Sequence, residues 1–242
     1  MDKYWLERTE LLVKEEGLEK LNKATVLVVG LGGVGSFAAE FLARAGVGTM
    51  TIVDGDTVDI TNVNRQLPAL RSTVGKHKVE VVAERLLDIN PDLNLTKINE
   101  FLNPERMDEV LDSAKFDYVL DCIDSVTPKL SLIIAAKRRR IKVVSSMGAG
   151  GKTDPSKVLV RDISKTEHCH LARQVRKRLK KVKIDKGVRC VFANDIQDED
   201  SLKMTDGTNY KRSFYGTISY MPAIFGLYAA AEVINSLLAK QD

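Results

Sequence analysis

The sequence predicts an α/β protein with a Rossmann-like, doubly wound and mostly parallel sheet. Apolar runs of strand length alternate with segments of helical periodicity over residues 25–161, which is typical of a sheet covered by helices on both faces. One such run, at 26–29, leads into the glycine-rich segment GLGGVGS at 30–36, and a helical pattern follows that segment. A second run ends in Asp54, about 20 residues beyond the glycines, where such folds carry a ribose-binding acid.

The length and composition indicate one large domain. The chain has 242 residues, of which 44% are apolar and 29% charged, and its formal net charge of +4 does not by itself imply nucleic acid. We predict a single domain over residues 1–242. It would comprise a helical extension at 1–24, a nucleotide-binding core at 25–161 and a region for substrate binding and dimerisation at 162–242.

The composition also predicts a cytoplasmic protein. No signal-peptide pattern follows Met1. The three cysteines, Cys122, Cys169 and Cys190, are scattered and form no CxxC pair, which argues against a disulfide framework and against a four-cysteine zinc site. We therefore expect a reducing compartment, no zinc and no membrane.

Residues 4–22 predict the first helix, because Trp5 and several leucines recur at helical intervals. We expect a break in this helix at Gly17. The segment also carries Arg8, which from its spacing alone is a surface arginine.

The glycines after the first strand are candidate phosphate-binding residues: Gly30, Gly32, Gly33 and Gly35. Glycine lets the chain turn tightly and brings backbone N–H groups close to a phosphate at the positive end of a helix. The alternative is a strand-to-helix turn without a ligand, but the strand, the helix and Asp54 together favour a nucleotide site.

A polar, aperiodic loop at 55–66 follows the second strand, at the sheet edge where ligands bind in such folds. An arginine there can hold a triphosphate by charge-assisted hydrogen bonds, although a solvated loop is the alternative. Lys78 begins a predicted helix at 79–89, where a cation opposes the helix dipole unless it meets an anion. The candidate nucleotide-binding side chains of these segments are Asp54, Asp56, Asn62, Arg65, Gln66 and Lys78, and the loop also carries Asn64.

Two acids follow further along the same predicted edge. After a strand at 93–98 and a helix at 104–111, the fourth strand at 116–121 ends in Asp121, and the next loop carries Asp124. Two carboxylates beside phosphates suggest Mg²⁺. Alternatively, Asp124 caps the following helix, which runs to a basic cluster at 137–140.

The remaining strands are predicted at 141–146, 158–161 and 188–192, with a second glycine-rich turn at 147–151. Between them, a helix at 171–182 carries an excess of positive charge. A charge run is usually a solvated face, but this one has almost no balancing acid and suggests an anionic macromolecule such as RNA. The basic residues are Arg173, Arg176, Lys177, Arg178, Lys180 and Lys181.

The C-terminal part combines a polar run with an apolar one. Residues 193–212 predict a mobile loop. The nearly apolar stretch at 215–238 approaches the length of a membrane span, but Pro222 and two polar residues interrupt it. We expect a loop or strand up to Pro222 and then a buried helix at a dimer interface.

Six motifs together resemble the ThiF/MoeB/HesA superfamily of ubiquitin-activating-enzyme-like adenylyltransferases: GLGGVGS, AGVG, IVDGDTV, NVNRQ, VGKHKVE and DCIDSV. The resemblance implies that the glycine turn cradles the phosphates of ATP and that Asp54 holds the ribose. It also implies that Asn62, Arg65, Gln66 and Lys78 line the triphosphate site. Asp124 would serve Mg²⁺ and the activation step, and Arg8 would reach the ATP of the partner subunit in a homodimer.

The sulfur-carrier activators of this superfamily have two CxxC pairs for zinc, which this chain lacks. The segments WLERTELLV, NVNRQLPALRSTVGKHK, SSMGAGGKTDPSKV and GVRCVF more closely resemble the tRNA threonylcarbamoyladenosine dehydratase branch. That resemblance implies an ATP-dependent cyclisation of the threonylcarbamoyl group on an adenosine beside the anticodon, with tRNA contacting the basic helix.

Two other functions remain open from the residues. One is activation of a ubiquitin-like sulfur-carrier protein, with a sulfur-transfer or redox partner; the other is an NAD-dependent oxidoreductase on the same fold. A dinucleotide has no γ-phosphate for Arg65 and Lys78 to hold, which disfavours the oxidoreductase. Cys190 is either a nucleophile, as cysteines are in relatives, or a packed strand residue.

Overall fold

The computed structural model describes residues 4–204 and 213–239. Within them, short 3₁₀ turns connect seven α-helices and nine strands. In chain order, these are α1 (Glu7–Lys23), β1 (Thr25–Val29), α2 (Gly35–Arg44), β2 (Thr49–Val53), α3 (Lys78–Ile89), β3 (Asn94–Ile98), α4 (Pro104–Asp112), β4 (Tyr118–Asp121), α5 (Val126–Arg138), β5 (Lys142–Ser146), β6 (Val158–Asp162), α6 (His170–Lys181), β7 (Arg189–Ala193), β8 (Leu202–Met204), β9 (Ser213–Tyr215) and α7 (Tyr220–Leu238).

Seven strands form one twisted sheet in the order β3-β2-β1-β4-β5-β7-β6. Every neighbouring pair is parallel except β6 and β7. This arrangement confirms the predicted doubly wound α/β fold. The strand predicted at 158–161 is the antiparallel edge strand, and β7 lies between it and β5. The sheet thus takes an inner strand from the last third of the chain.

Two apolar clusters cover the two faces of the sheet. On β1, Val26 and Val28 pack with α2, α3 and α7, whereas Leu27 and Val29 pack with α4, α5 and α6. Successive strand residues point to opposite faces, so a continuous apolar run is what a strand buried on both sides requires.

Helix α2 approaches the end of β1 very closely. A Cβ atom added to Gly35 would lie 1.7 Å from the carbonyl oxygen of Gly30, and Gly30 itself has φ of +91°. Because both obstacles are backbone, no side-chain movement relieves them. These glycines are what allow the first turn of α2 to sit directly above the carboxyl end of β1.

The predicted break in the first helix is wrong in position. The non-helical residue in α1 is Lys14, with φ 65° and ψ 170°, whereas Gly17 is buried within the helix. A Cβ atom on Gly17 would lie 3.1 Å from Cδ2 of Leu238, so this glycine allows α1 to pack against the end of α7.

The last helix differs from the sequence expectation in the residue at which it begins. Helix α7 begins before Pro222, which lies in its first turn, where a missing N–H costs nothing. It has the length and composition of a membrane-spanning helix; its buried face packs against α2 and the sheet.

The predicted loop at 193–212 is wrong in part. It begins with the last residue of β7 and contains β8, which pairs with β9. A three-residue exposed strand is too short to show periodicity. Residues 205–212, with their predicted mobility, lie outside the described residues.

Candidate active site

The carboxyl ends of β1, β2 and β4 bring three segments together: the glycine turn, the loop after Asp54 and the segment at 122–125. The backbone N–H of Gly30 donates to the carbonyl of Val53 at 2.8 Å, and that of Cys122 donates to the carbonyl of Val29 at 2.9 Å. Adjacent parallel strands therefore place the sequence-predicted residues of this edge around one turn.

Asp54 ties the glycine turn to the loop that follows β2. One carboxylate oxygen accepts from the backbone N–H of Leu31 at 2.6 Å, and the other accepts from that of Asp56 at 2.8 Å. Burial raises the pKa of Asp54, and the charge of Lys78 opposes that shift. Each carboxylate oxygen has further acceptor capacity, so Asp54 can still accept hydrogen bonds from a ribose.

Lys78 is buried at the start of α3 and faces the site. Its ammonium lies 2.9 Å from Oδ2 of Asp56, and its side chain is only 6% exposed. The backbone N–H of Lys78 also donates to the carbonyl of Asp56 at 3.0 Å. The two predicted residues thus form one unit, in which a carboxylate is the anion that offsets the unfavourable position of the lysine.

Arg65 and Asp124 come from different loops and lie close enough for their charges to interact. Burial lowers the pKa of the Arg65 guanidinium, and the carboxylate of Asp124 partly offsets this by raising it. The guanidinium donates to the carbonyl of Thr61 at 3.0 Å and to Oδ1 of Asn64 at 2.8 Å. This half-buried cation is held at the edge of the sheet by its own loop.

Gln66 provides a polar atom that the described molecule leaves unsatisfied. Its Oε1 is buried and accepts no hydrogen bond. Its Nε2 lies 3.6 Å from where a Cβ atom on Gly32 would be. An unsatisfied buried acceptor costs about 1–3 kcal/mol, so its presence beside a turn of bare glycine backbone fits a site that a nucleotide completes.

The two asparagines of this loop, the predicted Asn62 and its neighbour Asn64, have structural contacts. Oδ1 of Asn62 accepts from the backbone N–H of Asp59 at 3.2 Å, so this buried residue fixes the turn before Arg65. Nδ2 of Asn64 donates to the carbonyl of Thr217 at 3.0 Å, which connects the loop to the segment before α7.

The start of α7 forms a wall of the site that the sequence did not reveal. A Cβ atom on Gly33 would lie 2.9 Å from Cβ of Pro222 and 3.2 Å from the carbonyl oxygen of Arg65. Together with the Asn64–Thr217 contact, this places the last helix of the described chain against the glycine turn. No local pattern around Pro222 signals this contact.

The expectation of a two-carboxylate Mg²⁺ site is wrong, because Asp121 is fully buried. Its Oδ2 accepts from the ammonium of Lys129 at 2.7 Å and from the hydroxyl of Ser145 at 2.6 Å. Lys129 also donates to the carbonyl of Ser146 at 2.9 Å. This buried group fixes the end of β4, from which Asp124 projects.

Asp124 is exposed, and it is not the N-cap of α5. The N-cap residue is Ser125, which makes no side-chain capping hydrogen bond, and its hydroxyl donates to Oδ1 of Asp124 at 3.3 Å. The alternative interpretation of Asp124 as a helix cap is therefore wrong. Its carboxylate lies at the carboxyl edge, near Arg65.

Two groups of predicted residues lie away from this turn. Arg8 is exposed on α1, and its predicted contact with a partner subunit stays a prediction. On α6, Val175 and Leu179 are buried, and Arg176 donates to the carbonyl of Thr166 at 2.8 Å. The other predicted RNA-binding cations are exposed: Arg173, Lys177, Arg178, Lys180 and Lys181.

The cysteines are placed for packing. Cys190 is completely buried in β7, and burial raises the pKa of its thiol. Burial likewise raises the pKa of Cys122 to about 12. Because the thiolate is the reactive form, neither residue has the environment of a nucleophile.

We expect iodoacetamide at neutral pH to leave Cys190 unmodified in the native protein and to alkylate it once the chain is unfolded. Mass spectrometry of tryptic peptides measures the extent of labelling at each cysteine. The same peptides from protein labelled in denaturant are the control. Rapid labelling of Cys190 in the native state would contradict the packed interpretation.

Comparison with known proteins agrees with this geometry. A family model described as the ThiF family matches residues 6–242. The tRNA threonylcarbamoyladenosine dehydratase of Bacillus subtilis (strain 168) is 42% identical over 238 residues, which cover 96% of this chain and 93% of that protein.

Comparison with solved structures also identifies tRNA threonylcarbamoyladenosine dehydratases as similar proteins. The E. coli tRNA N6-threonylcarbamoyladenosine dehydratase in complex with ATP matches with a TM-score of 0.87 at 37% identity, over 98% of this chain and 94% of that chain. Its complex with AMP matches with a TM-score of 0.88 at 37% identity, over 98% and 95%.

Proposed function

The chain belongs to the ThiF family, and from its similarity to the dehydratases of that family we propose that it is an ATP-dependent tRNA threonylcarbamoyladenosine dehydratase. The reaction activates the carboxylate of N6-threonylcarbamoyladenosine beside the anticodon and closes it into a ring, with net loss of water. The observation that carries the proposal is the convergence of Arg65, Lys78 and Asp124 on a glycine turn at one sheet edge. This arrangement suits phosphate chemistry and needs little proton transfer.

The residues of the site divide the binding of ATP among them. The bare backbone of Gly32 and Gly33 lets the phosphates approach the first turn of α2, whose N–H groups favour negative charge. Asp54 accepts from the ribose. The amide of Gln66, with its unsatisfied oxygen, completes the site.

Charge stabilisation is the main task of the protein in the activation step. As the substrate carboxylate attacks a phosphorus atom of ATP, a phosphoanhydride P–O bond breaks and the remainder of ATP leaves. Arg65 and Lys78 stabilise the negative charge that develops on the phosphate oxygens. Mg²⁺, when bound, neutralises phosphate charge and orients the phosphates. Asp124 is the residue that would hold this ion. Within residues 4–204 and 213–239, no group of three acidic, histidine or cysteine side chains could hold a metal ion by itself.

Ring closure follows from the substrate itself. A nitrogen of the same threonylcarbamoyl group attacks the activated acyl carbon and releases its proton to solvent, and the phosphoryl group leaves with the carboxylate oxygen to which it was attached. Because nucleophile and electrophile belong to one molecule, the effective concentration is high. The protein has only to hold the adenosine with its carboxylate towards the phosphates.

The tRNA would lie along α6. Five exposed cations of this helix face solvent, and contacts of this kind to phosphates position an RNA without reading its sequence. We further propose a cytoplasmic homodimer in which Arg8 reaches the partner's nucleotide. The exposed Leu11 and Leu12, at 70% and 83%, lie on the same helix as Arg8 and support an interface there.

The test is mass spectrometry of nucleosides from a tRNA carrying N6-threonylcarbamoyladenosine, incubated with the protein, ATP and Mg²⁺. We expect a new nucleoside lighter by one water, and none when ATP is omitted. Thermal shifts with ATP-Mg²⁺ and with NAD run in parallel. A shift with NAD alone, or pyrophosphate exchange that depends on a carrier protein ending in Gly-Gly without any change in the tRNA, would overturn the proposal.

A further inference from the structure

Helix α5 and the ends of β4 and β5 meet at a buried ion pair. Lys129 and Asp121 are both 0% exposed, and the ammonium lies 2.7 Å from Oδ2 of the carboxylate. The same oxygen accepts from the hydroxyl of Ser145 at 2.6 Å, and the ammonium also donates to the carbonyl of Ser146 at 2.9 Å. One ion pair thus ties three elements together at the sheet edge that forms the candidate active site.

Stability alone does not account for this ion pair. Two charges lose their hydration when they are buried, and an apolar pair of similar volume in the same place is often as stabilising or more so. Breaking such a pair is costly, but replacing both members together is not. The role of Lys129 and Asp121 must therefore be sought in the groups whose position they set.

The carboxylate of Asp121 sets the path of the chain that leads to Asp124. Its Oδ1 accepts from the backbone N–H of Ile123 at 3.1 Å. An aspartate that accepts from the N–H two residues later closes a tight turn. Asp124 is the next residue, so the direction in which its carboxylate leaves the sheet edge depends on this turn.

The turn after β4 lies against the glycine turn of the nucleotide site. A Cβ atom on Gly30 would lie 2.9 Å from the carbonyl oxygen of Cys122, and one on Gly35 would lie 3.0 Å from Cβ of Cys122. The backbone N–H of Cys122 also donates to the carbonyl of Val29 at 2.9 Å. A change in the path of residues 122–124 would therefore move Asp124 relative to the backbone that approaches the phosphates.

We propose that Lys129 and Asp121 are positioning residues for the activation step, which hold Asp124 at the phosphates of ATP through the N–H of Ile123. Both are fully buried, so they act through Asp124 and not by contact with ATP. The inference rests on the proposed function, because that function gives Asp124 its task. It deepens that function by giving the ion pair a role in turnover.

The test compares two double variants, neither of which buries a charge. The leucine variant, Asp121→Leu with Lys129→Met, removes the acceptor for the N–H of Ile123. The asparagine variant, Asp121→Asn with Lys129→Met, keeps an oxygen at that place, and its amide nitrogen can donate to the carbonyl of Ser146.

Turnover is expected to separate the two variants. A small displacement of a group near the reacting atoms can cost about 10²-fold in rate, so we expect the leucine variant to lose about 10²-fold in kcat and the asparagine variant less than about tenfold. The KM for the modified tRNA should stay at the wild-type value in both, because α6 is unchanged. Mass spectrometry of tRNA nucleosides measures both constants.

Hydrogen exchange provides a readout that does not depend on activity. The amide of Ile123 should be protected in the wild-type protein and in the asparagine variant, and should exchange faster in the leucine variant. Peptides from β1 and β2 should exchange alike in all three proteins. Mass spectrometry of peptides that cover residues 118–125 measures the difference.

A third comparison determines whether the ion pair acts through Asp124. In the Asp124→Ala background, the two substitutions of the leucine variant should lower kcat little further, because residues that act as a unit are not additive. Arg139→Ala is the matched control. It removes hydrogen bonds to Asp108 and Asp112 at the other end of α5 and should keep the wild-type kcat.

The inference is overturned if the leucine variant keeps the wild-type kcat, if the asparagine variant is no faster than the leucine variant, or if the amide of Ile123 exchanges alike in both. Fully additive losses with Asp124→Ala would also overturn it. A leucine variant that does not fold would overturn it as well, because the pair would then serve the fold itself. If the wild-type protein produces no dehydrated nucleoside, the proposed function fails and the inference fails with it; in every other case the function stands.

Discussion

Replacing Asp124 with alanine is expected to lower turnover of the modified tRNA by about 10²- to 10³-fold. The carboxylate lies at the sheet edge, and its charge raises the pKa of the Arg65 guanidinium. It is the acid that we propose for holding Mg²⁺ on the phosphates, since Asp121 is engaged with Lys129. Mass spectrometry of tRNA nucleosides after single turnovers measures the rate.

Two further variants make this result specific. Asp124→Asn keeps the shape of the side chain and removes its charge, so it should lose nearly as much activity. Asp92→Ala, an exposed acid in the turn before β3 at the opposite edge, should keep wild-type turnover. Normal turnover by Asp124→Ala would remove Asp124 from the mechanism.

Replacing Lys129 with methionine is expected to lower the free energy of unfolding by about 3–5 kcal/mol. Both members of the Lys129–Asp121 pair are 0% exposed, so the variant leaves a carboxylate buried without its counter-charge. Ser145 and the backbone N–H of Ile123 remain as hydrogen-bond partners of Asp121. Urea unfolding followed by circular dichroism measures the difference.

The double variant Asp121→Leu with Lys129→Met is the control, and it should recover much of the lost stability because no charge remains buried. The pH dependence provides a second check. Burial raises the pKa of Asp121, and Lys129 opposes that rise, so loss of Lys129 raises the folded-state pKa further above the unfolded value. Stability of the single variant should then fall as pH rises through that pKa. A deficit that does not change with pH would contradict this account.

The parts of the site that lie close together in sequence could be predicted. The glycine turn follows a buried strand and opens a helix, and Asp54 ends the next strand; one crossover places them together in such a fold. Lys78 could be singled out because a cation at a helix start is unfavourable without an anion. The structure supplies that anion as Asp56.

The rest of the site depends on contacts that no local pattern records. Lys129 looks like an ordinary helix residue until β4 and β5 place Asp121 and Ser145 beside it. Thr217 meets Asn64 across 153 residues of chain. Likewise, β6 looks like any other apolar strand, and only its pairing with β7 makes it antiparallel.

The contact of Pro222 with the glycine turn has a consequence for synthesis on the ribosome. The glycine turn leaves the ribosome long before Pro222, which forms the far wall of the site, has been translated. Domains fold as units once their contacts are available, so a nascent chain stopped near residue 200 has the glycine turn without the helix that closes over it. We therefore expect such a truncated chain to bind ATP more weakly than a chain that includes α7.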